Sequence, residues 1–96
     1  MLILGRKVGE GFIINEKFEL NVVSINKGKV VLELKEEGKT VKPSVVVYYG
    51  EGSEQLFVDN KILSITVTNT THTIVRLGFE APKSVKITRK ELLKNS

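Results

Sequence analysis

Four separate stretches of this chain alternate side chains with a period of two. Phe18, Leu20 and Val22 alternate with Glu19 and Asn21, and Val30, Leu32 and Leu34 with Val31 and Glu33. Leu63, Ile65 and Val67 alternate with Ser64 and Thr66, and Val75, Leu77 and Phe79 with Arg76 and Gly78. Successive side chains of a β-strand point to opposite faces, so each stretch buries one face and gives the other to solvent or to a neighbour. Turn chemistry falls between the runs. Asn26-Lys27-Gly28-Lys29 supplies a glycine for positive φ, and Asn69-Thr70-Thr71-His72 is polar enough for a loop. Only the C-terminal end reads as helical, with Thr88 as the cap of a short helix through Lys90, Glu91, Leu92 and Leu93. A helix so short needs docking to persist. The expected class is all-β, with several short strands at hairpin spacing.

At 96 residues the chain makes one domain or two closely packed halves, and its core is modest. It contains no cysteine, which excludes disulfide staples and thiolate zinc sites. The apolar opening Met1-Leu2-Ile3-Leu4 is far shorter than a secretory h-region or a membrane span, so a cytoplasmic location without a membrane partner is expected. His72 is the only histidine and has no carboxylate cluster in sequence to make a metal site or a catalytic pair. The serines have no triad partners, and Gly9-Glu10-Gly11 is too short for a phosphate-binding loop. Neither an enzyme, a metal, a cofactor nor a small-molecule substrate is expected. The net charge is +4, and the segment from Lys83 to Ser96 carries Lys83, Lys86, Arg89, Lys90 and Lys94 against Glu91 alone. Such a basic end is either a solubilising tail or an electrostatic footprint for a polyanion.

The chain also resembles itself. Displaced by 43 to 45 residues, Leu2-Ile3-Leu4 falls on Val45-Val46-Val47 and Gly9 on Gly52. Phe18, Leu20 and Val22 fall on Leu63, Ile65 and Val67, and Val30, Leu32 and Leu34 on Val75, Leu77 and Phe79. We read residues 1–44 as a first repeat and 45–96 as a second within a single domain, each half too small to cover its own strand edges.

Both ends carry a family resemblance. Met1-Leu2-Ile3-Leu4-Gly5-Arg6-Lys7-Val8-Gly9-Glu10 resembles the opening of the carbon storage regulator family of bacterial translational regulators. Val75-Arg76-Leu77-Gly78-Phe79-Glu80-Ala81-Pro82-Lys83-Ser84-Val85-Lys86-Ile87-Thr88-Arg89-Lys90-Glu91 resembles its closing strands and the start of its helix. Members of that family are shorter and act as dimers of interwoven five-stranded chains. The resemblance therefore implies a pseudo-dimeric β-sandwich or barrel of two interwoven five-strand-type repeats, with a short C-terminal helix. It also implies a function: recognition of a GGA triplet in a single-stranded or hairpin-loop RNA near a ribosome-binding site, and steric repression of translation initiation. The family's RNA sites lie where the first strand of one subunit meets the last strand of the other.

In a fused chain, one such site combines the first strand of repeat one with the last strand of repeat two. Leu4, Gly5, Arg6 and Lys7 supply one side, and Ala81, Pro82, Lys83, Val85, Ile87, Thr88 and Arg89 the other. Arg89 is the expected key contact, since a guanidinium fork suits a guanine edge or a phosphate. Arg6 and Lys7 are expected to attract phosphate. Leu4 and Ile87 would form an apolar floor for unstacked bases. Ala81-Pro82 would offer carbonyl groups to base edges. Gly5 replaces the threonine usual in the family, and Thr88 a common histidine. The reciprocal site aligns as dismantled. Tyr49-Gly50 stands for Arg6-Lys7, Ser44 for Arg89, and Glu36-Glu37 for Ala81-Pro82, where carboxylates would repel phosphate. Tyr48 and Tyr49 either cover a sheet face or stack bases in a divergent second site. The rival reading is a protein-binding module, since family members also contact a flagellar assembly factor. A structural β-domain with incidental charge is the third.

Overall fold

The computed structural model describes residues 1–90, and these form nine β-strands. In chain order they are β1 (Leu2–Lys7), β2 (Gly11–Ile14), β3 (Phe18–Asn26), β4 (Lys29–Glu36), β5 (Lys39–Tyr48), β6 (Ser53–Val58), β7 (Lys61–Thr70), β8 (Ile74–Glu80) and β9 (Ile87–Arg89). Two antiparallel sheets result, one ordered β1-β8-β7-β6 and the other β5-β4-β3-β2-β9. Each sheet is thus completed by a strand from the far end of the chain. β1 pairs with β8 from Leu2↔Phe79 to Lys7↔Ile74, and β9 pairs with β2 from Phe12↔Arg89 to Ile14↔Ile87. Among the described residues no helix is long and apolar enough to cross a membrane.

The alternating positions build the core. Phe18, Leu20, Val22, Val30, Leu32 and Leu34 from one sheet meet Leu63, Ile65, Val67, Val75, Leu77 and Phe79 from the other in one buried cluster. Each such side chain removed from water contributes about 1.5–3 kcal/mol. Phe12 and Phe79 meet edge-to-face across the sandwich, with ring centroids 5.0 Å apart and planes at 77°. That geometry sets a ring edge against a π face and adds to the gain from burial.

In the two meanders β2-β3-β4 and β6-β7-β8, the second hairpins share register. Leu20↔Leu34 and Val22↔Leu32 in one match Ile65↔Phe79 and Val67↔Leu77 in the other, each displaced by 45 residues. Each carries a bulge at the same place, between Val22 and Ser24 and between Val67 and Asn69. The first hairpins turn through two residues of similar backbone but differ in length, since Ile14↔Phe18 leaves a three-residue loop and Val58↔Lys61 a two-residue one. Asn15 and Glu16 have φ of 52° and 64°, and so do Asp59 and Asn60. Two consecutive residues with positive φ are the signature of the type I′ turn, whose twist matches the strands that it joins.

The meanders part company at their ends. After β4, Glu37 and Gly38 take φ of 51° and 84°, a further type I′ turn that folds β5 back along β4 with Glu36 opposite Lys39. After β8, the residue 45 positions beyond Glu37 is Pro82, whose ring holds φ negative and forbids that turn. The chain bends instead through a turn closed by the Val85 N–H on the Pro82 carbonyl at 2.9 Å, then crosses to the other sheet as β9. Sheet β5-β4-β3-β2-β9 therefore gains a fifth strand, while β6 has only β7 beside it among the described residues.

Two expectations change in detail. Thr88 lies within β9, Lys90 that follows the strand is helical, and the remainder of the expected helix, Glu91 to Leu93, lies outside the described residues. The boundary between residues 44 and 45 falls inside the single strand β5, which bends there through two irregularities around Val41 and Pro43-Ser44. Truncating the ring at the centre, Phe12→Ala, is expected to cost about 3–5 kcal/mol. Urea denaturation should show it as a lower midpoint at unchanged slope.

Candidate RNA interface

The corner where β1 and β9 run along neighbouring sheet edges gathers most of the residues singled out in the sequence. Gly5, Arg6, Lys7 and Arg89 line one open cleft of about 500 Å³ together with Ile3, Glu10, Ile74 and Arg76. Ala81, Val85 and Ile87 line an adjoining groove with Met1, Leu2, Phe79 and Glu80. Leu4 and Ile87 are half-buried and pack against the core, so their outer surfaces are held rigidly. Val85 is nearly closed off from solvent and acts as core. Pro82, Lys83 and Thr88 are exposed along the same edge but line neither cavity; the Thr88 hydroxyl reaches the Ile13 carbonyl at 3.5 Å.

Arg6 stands apart from its expected role. It is buried to 7% exposure, its Nε donates to the Gly5 carbonyl at 2.8 Å, and its Nη2 lies 3.8 Å from Glu10 Oε1. The same Glu10 oxygen accepts the Lys7 amide at 2.9 Å, which closes the turn between β1 and β2. Arg6 thus shapes the cleft wall, and the exposed positive charge comes from Lys7, Arg76 and Arg89. Sequence reasoning missed Arg76. It is the polar residue in the Val75-Arg76-Leu77 alternation, so it faces outward, and the ladder sets it directly opposite Gly5. That alternation was legible, but nothing local in the sequence says that β8 lies beside β1.

The backbone at Gly5 leaves room for a Cβ. A Cβ at Gly5 would meet only Arg76 Cγ and the Val75 carbonyl, each at 3.9 Å, which is ordinary contact.

β9 is tied down at both ends. Before it, Lys86 exchanges two hydrogen bonds with Asn15, giving its carbonyl to the Asn15 N–H at 2.9 Å and its own N–H to Asn15 Oδ1 at 2.8 Å. After it, Lys90 Nζ lies 2.9 Å from Glu19 Oε2 and 3.3 Å from Asn21 Oδ1 on β3. The hydrogen bond from Lys90 holds the Glu19 carboxyl below its usual range, with Asn21 assisting. Asn15 also donates to Asp59 Oδ2 at 2.9 Å, and Lys17 Nζ lies 2.7 Å from Asp59 Oδ1, so the two first hairpin turns are joined. The bond from Lys17 lowers the Asp59 carboxyl and raises the Lys17 amine.

The opposite corner has none of this. Counted through the ladders, Arg6 faces Val75 while Val47 faces Val30, and Lys7 faces Ile74 while Tyr48 faces Lys29. The positions matching Arg6-Lys7 are therefore Val47-Tyr48, two residues earlier than the sequence alignment with Tyr49-Gly50 suggested. The ladder of β5 is unbroken from Val45 to Tyr48, and the two extra residues lie in the turn after it, where Gly52 follows Tyr48 by four positions while Gly9 follows Lys7 by two. The pair matching Gly5-Arg76 is Val46-Val31. Ser44, Glu36 and Glu37 lie along the β4-β5 hairpin, away from any strand beside β6.

The model of the CsrA family, described as a global regulator protein family, matches residues 1–39 and 51–96. The unmatched stretch between them covers most of β5 and the turn that follows it. Two proteins named translational regulator CsrA, from Helicobacter pylori strains Shi470 and P12, are each 34% identical over 67 residues, covering 70% of this chain and 82% of the relative. No solved structure matches the chain. The chain belongs to the CsrA family.

Two outcomes are expected from this corner. Gly5→Thr should raise stability by about 0.5–1 kcal/mol, because glycine in a strand costs that much and a Cβ there meets only ordinary contacts; thermal unfolding measures it. A depressed Glu19 stabilises the fold above the ordinary glutamate pKa of about 4.3, and that contribution fades as pH falls through its lowered value. Hydrogen exchange at the β9 amides, corrected for intrinsic rate, should then accelerate below that range in the native protein and lose this dependence in Glu19→Gln.

Proposed function

We propose that this chain is an RNA-binding post-transcriptional regulator that recognises a GGA motif in the leader of a messenger RNA and represses translation initiation by occupying it. It acts in the cytoplasm through one composite site per chain, and the chain is a fused pair of family-type repeats, residues 1–44 and 45–96. The observation that carries this reading is the meeting of the two chain ends: Lys7, Arg76 and Arg89 converge on one cleft, with the Leu4 and Ile87 side chains set against the core alongside. The names of the relatives, which describe translational regulators, support it.

The chemistry of the corner fits a single-stranded loop better than a duplex. Splayed bases can rest on a rigid apolar surface such as Leu4 and Ile87, while A-form RNA hides its base edges in a deep, narrow groove. β1 and β9 are outer strands, so alternate amide and carbonyl groups along them point away from their sheets toward a ligand. Arg89, exposed at the end of β9, is placed to fork onto a guanine edge or a phosphate. Four cations against Glu10 in the cleft lining favour a polyanion.

The matching register and bulges of the β3-β4 and β7-β8 hairpins support the fused-repeat reading, and the lack of a second neighbour for β6 among the described residues supports one site instead of two. Fluorescence anisotropy with a GGA-loop hairpin is the test. Binding is expected at one RNA per chain, weakened by a scrambled loop, and falling with added salt as counterions are retained. Arg89→Ala should cost about 1–3 kcal/mol. Equal weak binding to both loops, insensitive to Arg89→Ala, would refute RNA recognition at this corner and favour a protein partner.

A further inference from the structure

We propose that the open edge of β6 pairs with β6 of a second copy of this chain, joining two four-stranded sheets into one. Where β2 is covered by β9, its counterpart β6 has a neighbour on one side only among the described residues. The backbone fixes which groups are left over. Asp59 and Asn60 form a two-residue type I′ turn, so the flanking residues Val58 and Lys61 exchange hydrogen bonds, as do alternate pairs behind them. Val58, Leu56 and Glu54 therefore turn their amides toward β7. Phe57, Gln55 and Ser53 turn theirs outward.

Sheet edges are ordinarily protected, and the other long outer strand is. β5 carries Pro43, Lys39 and Lys42 and two irregularities in its ladder. β6 has an unbroken register with β7 and contains no proline, lysine or arginine. It also presents Phe57 at 70% exposure, directly opposite Ile62 at 46%. An aromatic side chain left that open beside an unpaired edge marks a surface made for a strand.

A second copy fits this edge because the sequence of β6 is complementary to itself. In an antiparallel pair with its twofold axis at Gln55, Phe57 faces Ser53 of the other copy and Gln55 faces its own counterpart. Each outward residue then exchanges both backbone bonds with an outward residue. Glu54 faces Leu56, not another carboxylate, and the two Glu54 side chains lie diagonally about 7–8 Å apart. Salt that screens this repulsion should leave pairing unharmed, whereas salt weakens phosphate contacts. β1 is at the opposite border of the same sheet, so the cationic corner stays clear. Resting on the RNA reading above, a pair would present two sites, and a transcript with two motifs would gain avidity of about 10²–10⁴-fold.

Sedimentation velocity of the full chain without RNA tests the pairing independently of that reading. The weight-average mass is expected to rise from 10.7 kDa toward twice that value with concentration, with a dissociation constant in the range of about 1–100 μM. Gln55→Pro removes an amide that faces outward and spares the ladder to β7; Phe57→Lys sets a charge on the edge. Either substitution should raise the dissociation constant at least about 10-fold while affinity for a one-motif hairpin stays unchanged. A single species at the monomer mass up to about 100 μM would overturn the proposal, as would a dimer indifferent to both substitutions.

Discussion

The segment that closes this molecule is short and held at three places. Lys86 is bonded to Asn15, β9 forms three ladder pairs with β2, and Lys90 reaches Glu19 and Asn21 on β3. Without that attachment β2 would be a bare edge, and Ile87 would leave its place against the core. The same strand carries Arg89, so the stability of the sheet and the position of the exposed guanidinium depend on one set of contacts. β1 adds the other side by pairing with β8, which brings Gly5 opposite Arg76. The candidate interface is therefore built from backbone pairing between residues 67 to 77 positions apart, not from a local motif.

What makes the molecule one-sided is a difference of two residues. Glu37-Gly38 takes up the left-handed conformation that a tight hairpin needs, and the chain doubles back on β4. Pro82 cannot, and the chain is released to cross the sandwich. After β4 the chain stays in its own sheet as the long, irregular β5, and after β8 it crosses to complete the neighbouring sheet as β9. The two arginines are confined to the near corner in the same way, with Val47 and Val31 at the far one standing where Arg6 and Arg76 stand here, and Lys29 opposite Tyr48 there.

Much of this was legible in the sequence. The period-two runs became β3, β4, β7 and β8 with the expected faces buried, because alternation is a local property of a strand. The resemblance at the two ends named the strands that meet at the corner. Three things were hidden. The burial of Arg6 depends on Glu10 and the Gly5 carbonyl, a matter of side-chain packing in a turn. Arg76 joins the cleft through a strand pairing that no local pattern announces. The ladder counterparts of Arg6-Lys7 were displaced by the longer turn between β5 and β6, whose extra residues an alignment without gaps assigns to the strand.

The central claim is that one corner, and only one, meets RNA. The most direct measurement is a two-dimensional amide NMR titration of the full chain with a GGA-loop hairpin, mapping which backbone groups respond. The account predicts shifts concentrated in β1, at Arg76 and in β9, with Val46, Val47, Tyr48 and Lys29 unmoved. Shifts centred on the β4-β5 corner, or of equal size at both corners, would contradict it.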